Sequence, residues 1–198
     1  MKVERKVALA LAREALEAVA GPGDGTLVER LAKICFHAVV AGSLRRGAAE
    51  VGDVELMLHH PETAGCPVTA RLDAFAAAKG WTCPKHGRKW LRYEGGPCPL
   101  DVFVCRGPEQ WGYLLTVRTG PTEFAKSYVQ QMRTLGFEGK GGFVHALVES
   151  EAYGAGEVVA MYEEKDAFDK VGLRWVDPAE RSLREGEVLC LAERRWWG

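Results

Sequence analysis

Asp53 and Glu55 stand two residues apart in Gly52-Asp53-Val54-Glu55-Leu56, and Asp101 stands between apolar neighbours in Leu100-Asp101-Val102-Phe103. Alternate side chains of a β-strand share a face, so the first two acids project together while Val54 and Leu56 enter the core. A third carboxylate beside them would complete a site for a pair of Mg²⁺ ions, the arrangement that clamps attacking and leaving oxygens in phosphoryl transfer. Upstream, Gly42-Ser43-Leu44-Arg45-Arg46-Gly47 offers backbone N–H groups and a hydroxyl to phosphate oxygens, and Arg46 could add a charge-assisted fork. Asp-x-Glu on a strand is also common surface decoration. The order Gly-Ser, Arg-Arg-Gly, acid-x-acid, apolar-Asp-apolar is what points to two-metal nucleotidyl transfer.

These residues need strands to hold them, and the pattern supplies strands and helices in turn. Residues 3–20 have helical spacing at Val7, Leu11 and Leu16, and Gly21-Pro22-Gly23-Asp24-Gly25 stops them. Thr26 caps a second helix, running from Leu27 to about Cys35. Residues 38–41 read as a buried strand delivering Gly42 and Ser43, and residues 51–58 as the strand bearing Asp53 and Glu55. Residues 68–79 look helical, 89–93 strand-like, and 100–105 form the third principal strand. Gly107-Pro108 marks a subdomain boundary, with residues 111–117 able to continue the first subdomain's packing. Beyond it come a turn at 118–121, a helix over 122–135, a hairpin from 143–147 and 158–161, and a short helix over 163–171. The fold class is α+β: a mixed sheet flanked by helices in residues 1–106, and a small α/β subdomain in 107–198.

The 198 residues are 47% hydrophobic, ample for a core, and carry a formal net charge of -1. That total hides a basic run: residues 81–93 hold Lys85, His86, Arg88, Lys89 and Arg92 and no acid. Such a run could contact nucleic-acid phosphates; it also suits a solvated strand edge protected by charge. Arg13, Glu14 and Glu17 break any signal-peptide core in the first helix, and no apolar run is long enough to span a membrane. Cytoplasmic residence is expected, with the six cysteines reduced. A zinc site from Cys66, Cys83, His86 and Cys98 is conceivable, but only Cys83 and His86 have tight ligand spacing.

With these motifs in order, the chain resembles the DNA polymerase X family, within the DNA polymerase beta-like nucleotidyltransferase superfamily. Residues 41–47 with 52–56 resemble the family's palm signature, and residues 100–103 the strand bearing its third acid. Trp111-Gly112 through Arg118-Thr119-Gly120-Pro121-Thr122-Glu123-Phe124 is similar to the family's crossing from palm to C-terminal subdomain. Residues 164–169, 172–175 and 177–181 resemble its closing helix and terminal Pro-x-x-Arg segment. The resemblance covers about residues 3–182.

It implies a nucleotidyltransferase palm with a thumb-like C-terminal subdomain, acting as a monomeric DNA-directed DNA polymerase in gap filling or repair. Asp53, Glu55 and Asp101 would bind two Mg²⁺ ions, with Asp101 on the primer side. Gly42, Ser43, Arg46 and Gly52 would hold the incoming dNTP, Ser43 and Arg46 at its β- and γ-phosphates. Thr119 and Gly120 would border its sugar, and Lys126 falls where the family often has a Lys against the templating base. DNA would lie on Lys85, Arg88, Lys89 and Arg92.

Several positions depart from the family pattern. Glu55 stands where other members carry Asp, so Mn²⁺ could serve in place of Mg²⁺. Val117-Arg118 replaces an aromatic pair, and Arg118 could instead meet a phosphate. Ala125 and Val129 replace polar residues that read the minor groove. No segment matches the family's lyase or fingers domains, so lyase activity is not expected. Two alternatives stay open: a transferase of the same superfamily that works without a template or on RNA or protein, and a non-catalytic nucleic-acid binder. The tail Arg194-Arg195-Trp196-Trp197 could stack on unpaired bases or pack on the protein.

Overall fold

Ala8, Leu11, Ala12, Ala15 and Val19 recur at three- and four-residue spacing, and all are buried on one side of a helix. The computed structural model that shows this describes residues 2–60, 67–147 and 156–181. The helix is α1 (Arg5–Ala20), entered from the two-residue strand β1 (Val3–Glu4) and ended by Gly21 at φ 72°. Thr26 caps α2 (Leu27–Ala32) through a reciprocal pair of bonds with Glu29, which hold the Glu29 carboxyl below its ordinary value. This helix is shorter than the sequence suggests, because Lys33 to Cys35 tighten into a turn on Arg30 and Leu31.

Next come β2 (His37–Val40), the one-turn helix α3 (Gly42–Arg45), β3 (Glu50–Val51), β4 (Val54–His59), α4 (Pro67–Ala78), β5 (Thr82–His86), β6 (Trp90–Glu94) and β7 (Leu100–Cys105). Five strands form one mixed sheet in the order β2-β4-β7-β6-β5. Its centre, β4 against β7, is parallel; the other pairs are antiparallel. The two central strands read as near-continuous apolar runs, as strands buried on both faces do; β2, read from sequence as a buried strand, is an edge strand of intermediate burial.

One face of the sheet, carrying Val54, Leu56, Leu58, Leu91, Tyr93, Leu100 and Val102, forms a single core with α1 and α4. The opposite face carries Glu55, Trp90, Arg92 and Asp101. Where the sequence suggests one strand over residues 51–58, the chain makes two. Val51 pairs with Val3 in a separate two-stranded sheet, and β4 pairs with β2 and β7, so the chain changes partners at Gly52-Asp53. Asp53 therefore lies just before β4 rather than within a strand. β5 was not legible in the basic run either; it is an exposed edge strand with a register shift and little apolar patterning.

The chain divides after Gly107 into a second unit with its own core. A 3₁₀ turn (Pro108–Gln110) leads into α5 (Trp111–Thr119), α6 (Thr122–Thr134), the meander β8 (Phe137–Lys140), β9 (Phe143–Ala146) and β10 (Val158–Val159), then α7 (Glu164–Lys170) and a 3₁₀ turn (Pro178–Glu180). Residues 111–117, expected to extend the first subdomain, are a helix of this second unit. Gly112 lets α5 approach the entry to α7: a Cβ there would lie 1.9 Å from the Glu163 carbonyl oxygen. Tyr113, Phe124, Tyr128, Met132 and Phe168 fill the core.

The last turn folds Arg181 inward. Its guanidinium donates to Glu164 Oε1 at 2.8 Å and to the Val176 carbonyl at 2.9 Å, with its carbon 4.8 Å from the Phe168 ring centre. Trp175 donates its indole N–H to the other Glu164 oxygen at 2.9 Å.

Cys35, Cys83, Cys98 and Cys105 are free thiols, and burial pushes the Cys105 thiol up to about 12. Cys66, Cys190 and the tail from Arg194 to Trp197 lie outside the described residues. Among the described residues, no helix is long and apolar enough to cross a membrane.

Candidate active site

The parallel register of β4 and β7 sets Glu55 directly opposite Asp101, and alternation puts both on the face turned away from the α1/α4 core. Asp53 extends the same line by two residues, its neighbour Val54 donating its N–H to the Pro99 carbonyl at 2.9 Å. The row continues into the antiparallel strands, where Arg92 pairs with Asp101 and Lys85 with Arg92. Four adjacent strands thus read Lys85, Arg92, Asp101, Glu55 across the sheet, two cations followed by two anions.

Asp101 is 5% exposed and both its oxygens are engaged: Oδ1 accepts from the Trp90 indole N–H and Oδ2 from Arg92 Nη1, each at 2.8 Å. Arg92 also donates through Nε to Glu94 at 2.8 Å. That bond, followed by the charges of Asp101, Glu94 and Asp53, raises the guanidinium above its ordinary value against a cost of burial. The Asp53 carboxyl is pushed up, first by burial and then by the Asp101 charge, while Arg92 and Arg46 pull it down. Asp53, Asp101, Arg46 and Arg92 therefore share one electrostatic neighbourhood.

Behind Glu55 lies the Gly-Ser segment. Ala41 donates its N–H to the Glu55 carbonyl at 2.8 Å, and Gly42 follows at φ 61° to open α3. Gly42 and Ser43 are the first residues of this short helix, with Ser43 half-buried and Arg46 as its C-terminal cap. A Cβ on Gly42 would fall 1.8 Å from Glu55 Oε2, so glycine is required both by the backbone and by the acid lying against it. Gly42→Ala is expected to cost roughly 1–2 kcal/mol of stability and to displace the Glu55 carboxylate. Thermal melting checks the first part and a crystal structure of the variant the second. Gly52, by contrast, is exposed, and nothing lies within 4 Å of where its Cβ would stand.

All three acids offer hard oxygen donors, the chemistry Mg²⁺ and Mn²⁺ take, and a desolvated Asp53 beside Asp101 is a pair whose repulsion a divalent cation relieves. The donor set fits such ions on that ground. Among the described residues no group of three or more His, Cys, Asp or Glu side chains is arranged as the ligands of one ion. The positive charge bonded to Asp101 is Arg92. Three of the suggested zinc ligands are separately engaged: His86 bonds Asp73 at 3.0 Å, the Cys83 thiol donates to the Lys85 carbonyl, and Cys98 is buried in the core.

Lys85, Arg88 and Lys89 are exposed on the β5–β6 hairpin, with Lys85 Nζ 5.5 Å from the Trp90 ring centre. Arg92, grouped with them by sequence, instead has its side chain on Asp101 and Glu94. In the second unit, Arg118 and Thr119 form the last turn of α5, where the sequence suggests a turn; Arg118 is exposed and Thr119 fully buried. Gly120 caps that helix at φ 58°. Lys126 is exposed on α6 and pairs with Glu123 at 2.9 Å. Trp90 was not singled out from sequence, although its place two residues before Arg92 on one strand puts both on the face of the acids.

No protein-family model and no curated protein matches this chain.

Proposed function

We propose that this chain is a template-directed DNA polymerase of the DNA polymerase X type, its first unit a nucleotidyltransferase palm and its second a thumb-like subdomain. It adds a dNMP to a primer 3′-hydroxyl in gap-filling or repair synthesis. The observation that carries this reading is the β4/β7 register, Glu55 opposite Asp101 with Asp53 and Arg46 in electrostatic range.

Asp53, Glu55 and Asp101 would hold two Mg²⁺ ions, or Mn²⁺, which would supply stabilisation of the charge on the α-phosphate and on the attacking and leaving oxygens. Arg46 and Ser43 neutralise and orient the β- and γ-phosphates, and Gly42 lets the backbone come close to them. Asp101, fixed by two donors, sets the side of the site on which the primer 3′-hydroxyl approaches. Burial of Asp101 keeps water from competing there, and positioning with electrostatics supplies most of the rate.

Lys85, Arg88 and Lys89 contact phosphates of the DNA. Replacing all three by Ala is expected to lower the slope of log K against log salt by about 2–3, as each lost phosphate contact removes about 0.9. Fluorescence anisotropy with a labelled gapped duplex across a salt series measures it, and an unchanged slope excludes the hairpin as the DNA surface.

The function is tested by extending a labelled primer on a one-nucleotide gap with each dNTP separately, in Mg²⁺ and in Mn²⁺, beside an unannealed primer. Addition of only the complementary nucleotide is the expected result. Addition regardless of template would make the chain a template-independent transferase. Retained DNA binding in EDTA with no incorporation in either metal would leave a binding protein.

A further inference from the structure

We propose that Trp90 is a positioning residue for Asp101, holding the third acid in its working orientation through the indole N–H; this rests on the transferase reading above. A carboxylate at the end of one rotatable bond can present either oxygen to a ligand. One cationic donor leaves that choice partly open, because Arg92 divides its guanidinium between Asp101 and Glu94. Trp90 removes the ambiguity by taking Oδ1 at 2.8 Å while Arg92 takes Oδ2 at 2.8 Å.

The indole suits this task. It is a donor only, carries no charge and does not titrate, so it neither cancels the negative charge of Asp101 nor competes with a cation for it. The ring is itself held in place: it stacks on Phe103, centres 6.1 Å apart and planes 18° apart, and Lys85 Nζ lies 5.5 Å from its centre. The register accounts for this arrangement, since Trp90 pairs with Phe103 and Arg92 with Asp101 on neighbouring strands. Trp90 is 37% exposed, so the ring is partly buried on Phe103 while its polar atom is committed to Asp101.

Trp90→Phe keeps an aromatic ring beside Phe103 and Lys85 and removes the N–H together with the rest of the indole's five-membered ring. It is expected to lower kcat by about ten- to thirtyfold, the loss of one hydrogen bond to a charged group, with KM for dNTP changed less than about threefold and the melting temperature lowered by a few degrees at most, so that the protein stays folded under the assay. A second readout is independent of activity. In protein with ¹⁵N-labelled tryptophan, the indole peak that disappears in Trp90→Phe is expected to shift in Asp101→Asn and again when Mg²⁺ is added to the wild type without nucleotide.

Unchanged kcat in Trp90→Phe beside an active wild type overturns the positioning role alone. So does a rise in KM with kcat unchanged, which makes Trp90 a substrate contact, or an indole peak indifferent to Asp101→Asn. A wild type that transfers no nucleotide to any acceptor overturns the transferase reading as well.

Discussion

Asp101→Asn is expected, on the proposed transferase function, to lose at least about a thousandfold in nucleotide transfer while remaining folded, because it would remove a charge needed to hold the metal but keep the shape that fills the site. The structure makes Asn the better test than Ala. Asp101 is buried and accepts from two side chains, so Ala would strand the Trp90 indole and the Arg92 guanidinium and confuse catalysis with stability. Asn keeps an oxygen for Trp90, but its NH2 then faces Arg92 Nη1, donor against donor, and the lost bond costs roughly 1–3 kcal/mol. Asp53→Asn separates the two effects more sharply. Its carboxyl is disfavoured as an anion by burial and by Asp101, so the variant is expected to melt higher than wild type in EDTA while losing transfer to a similar extent. Single-turnover extension and thermal melting report the two quantities separately. Normal turnover by Asp101→Asn would remove Asp101 from the site.

The second large effect is expected far along the chain from the acids, at Arg181 and Glu164. Both side chains are buried, at 0% and 6% exposure, and the pair is completed by the Trp175 indole N–H and the Val176 carbonyl. Breaking such a pair leaves a charge without its partner inside an aromatic core, so Glu164→Gln and Arg181→Met are each expected to destabilise the second unit by about 3–5 kcal/mol. The double variant is expected to recover much of that loss, since two apolar or neutral groups need no counter-charge. Urea titrations of the two single variants and the double one form the cycle. Single costs below about 1 kcal/mol would mean that water reaches the pair.

The strand positions of Glu55 and Asp101 were legible in the sequence because strand periodicity is local, and an Asp inside an apolar run must be paired or functional. Asp53 was read onto the same strand as Glu55, but the chain changes sheets just before Val54, which no local pattern shows. The helices over residues 5–20, 67–78 and 122–134 were legible because their apolar spacing and stop signals need no tertiary partner. Residues 82–86 and 137–140 were not, because neither an exposed edge strand nor a short Gly-bearing strand has an apolar pattern of its own. Each exists only because a neighbour supplies its hydrogen bonds.

By itself, then, the sequence determined the identity and local grouping of the charged and glycine residues, because these depend on spacing along the chain. Tertiary structure alone decided their partners across it. The parallel register sets Glu55 against Asp101, the switch of sheets at Gly52 leaves Asp53 just outside the strand, and the β6/β7 pairing draws Arg92 out of a basic surface and onto an acid. Register is a long-range choice made by burying one face of every strand at once, and a slip of one residue would turn Asp101 into the core.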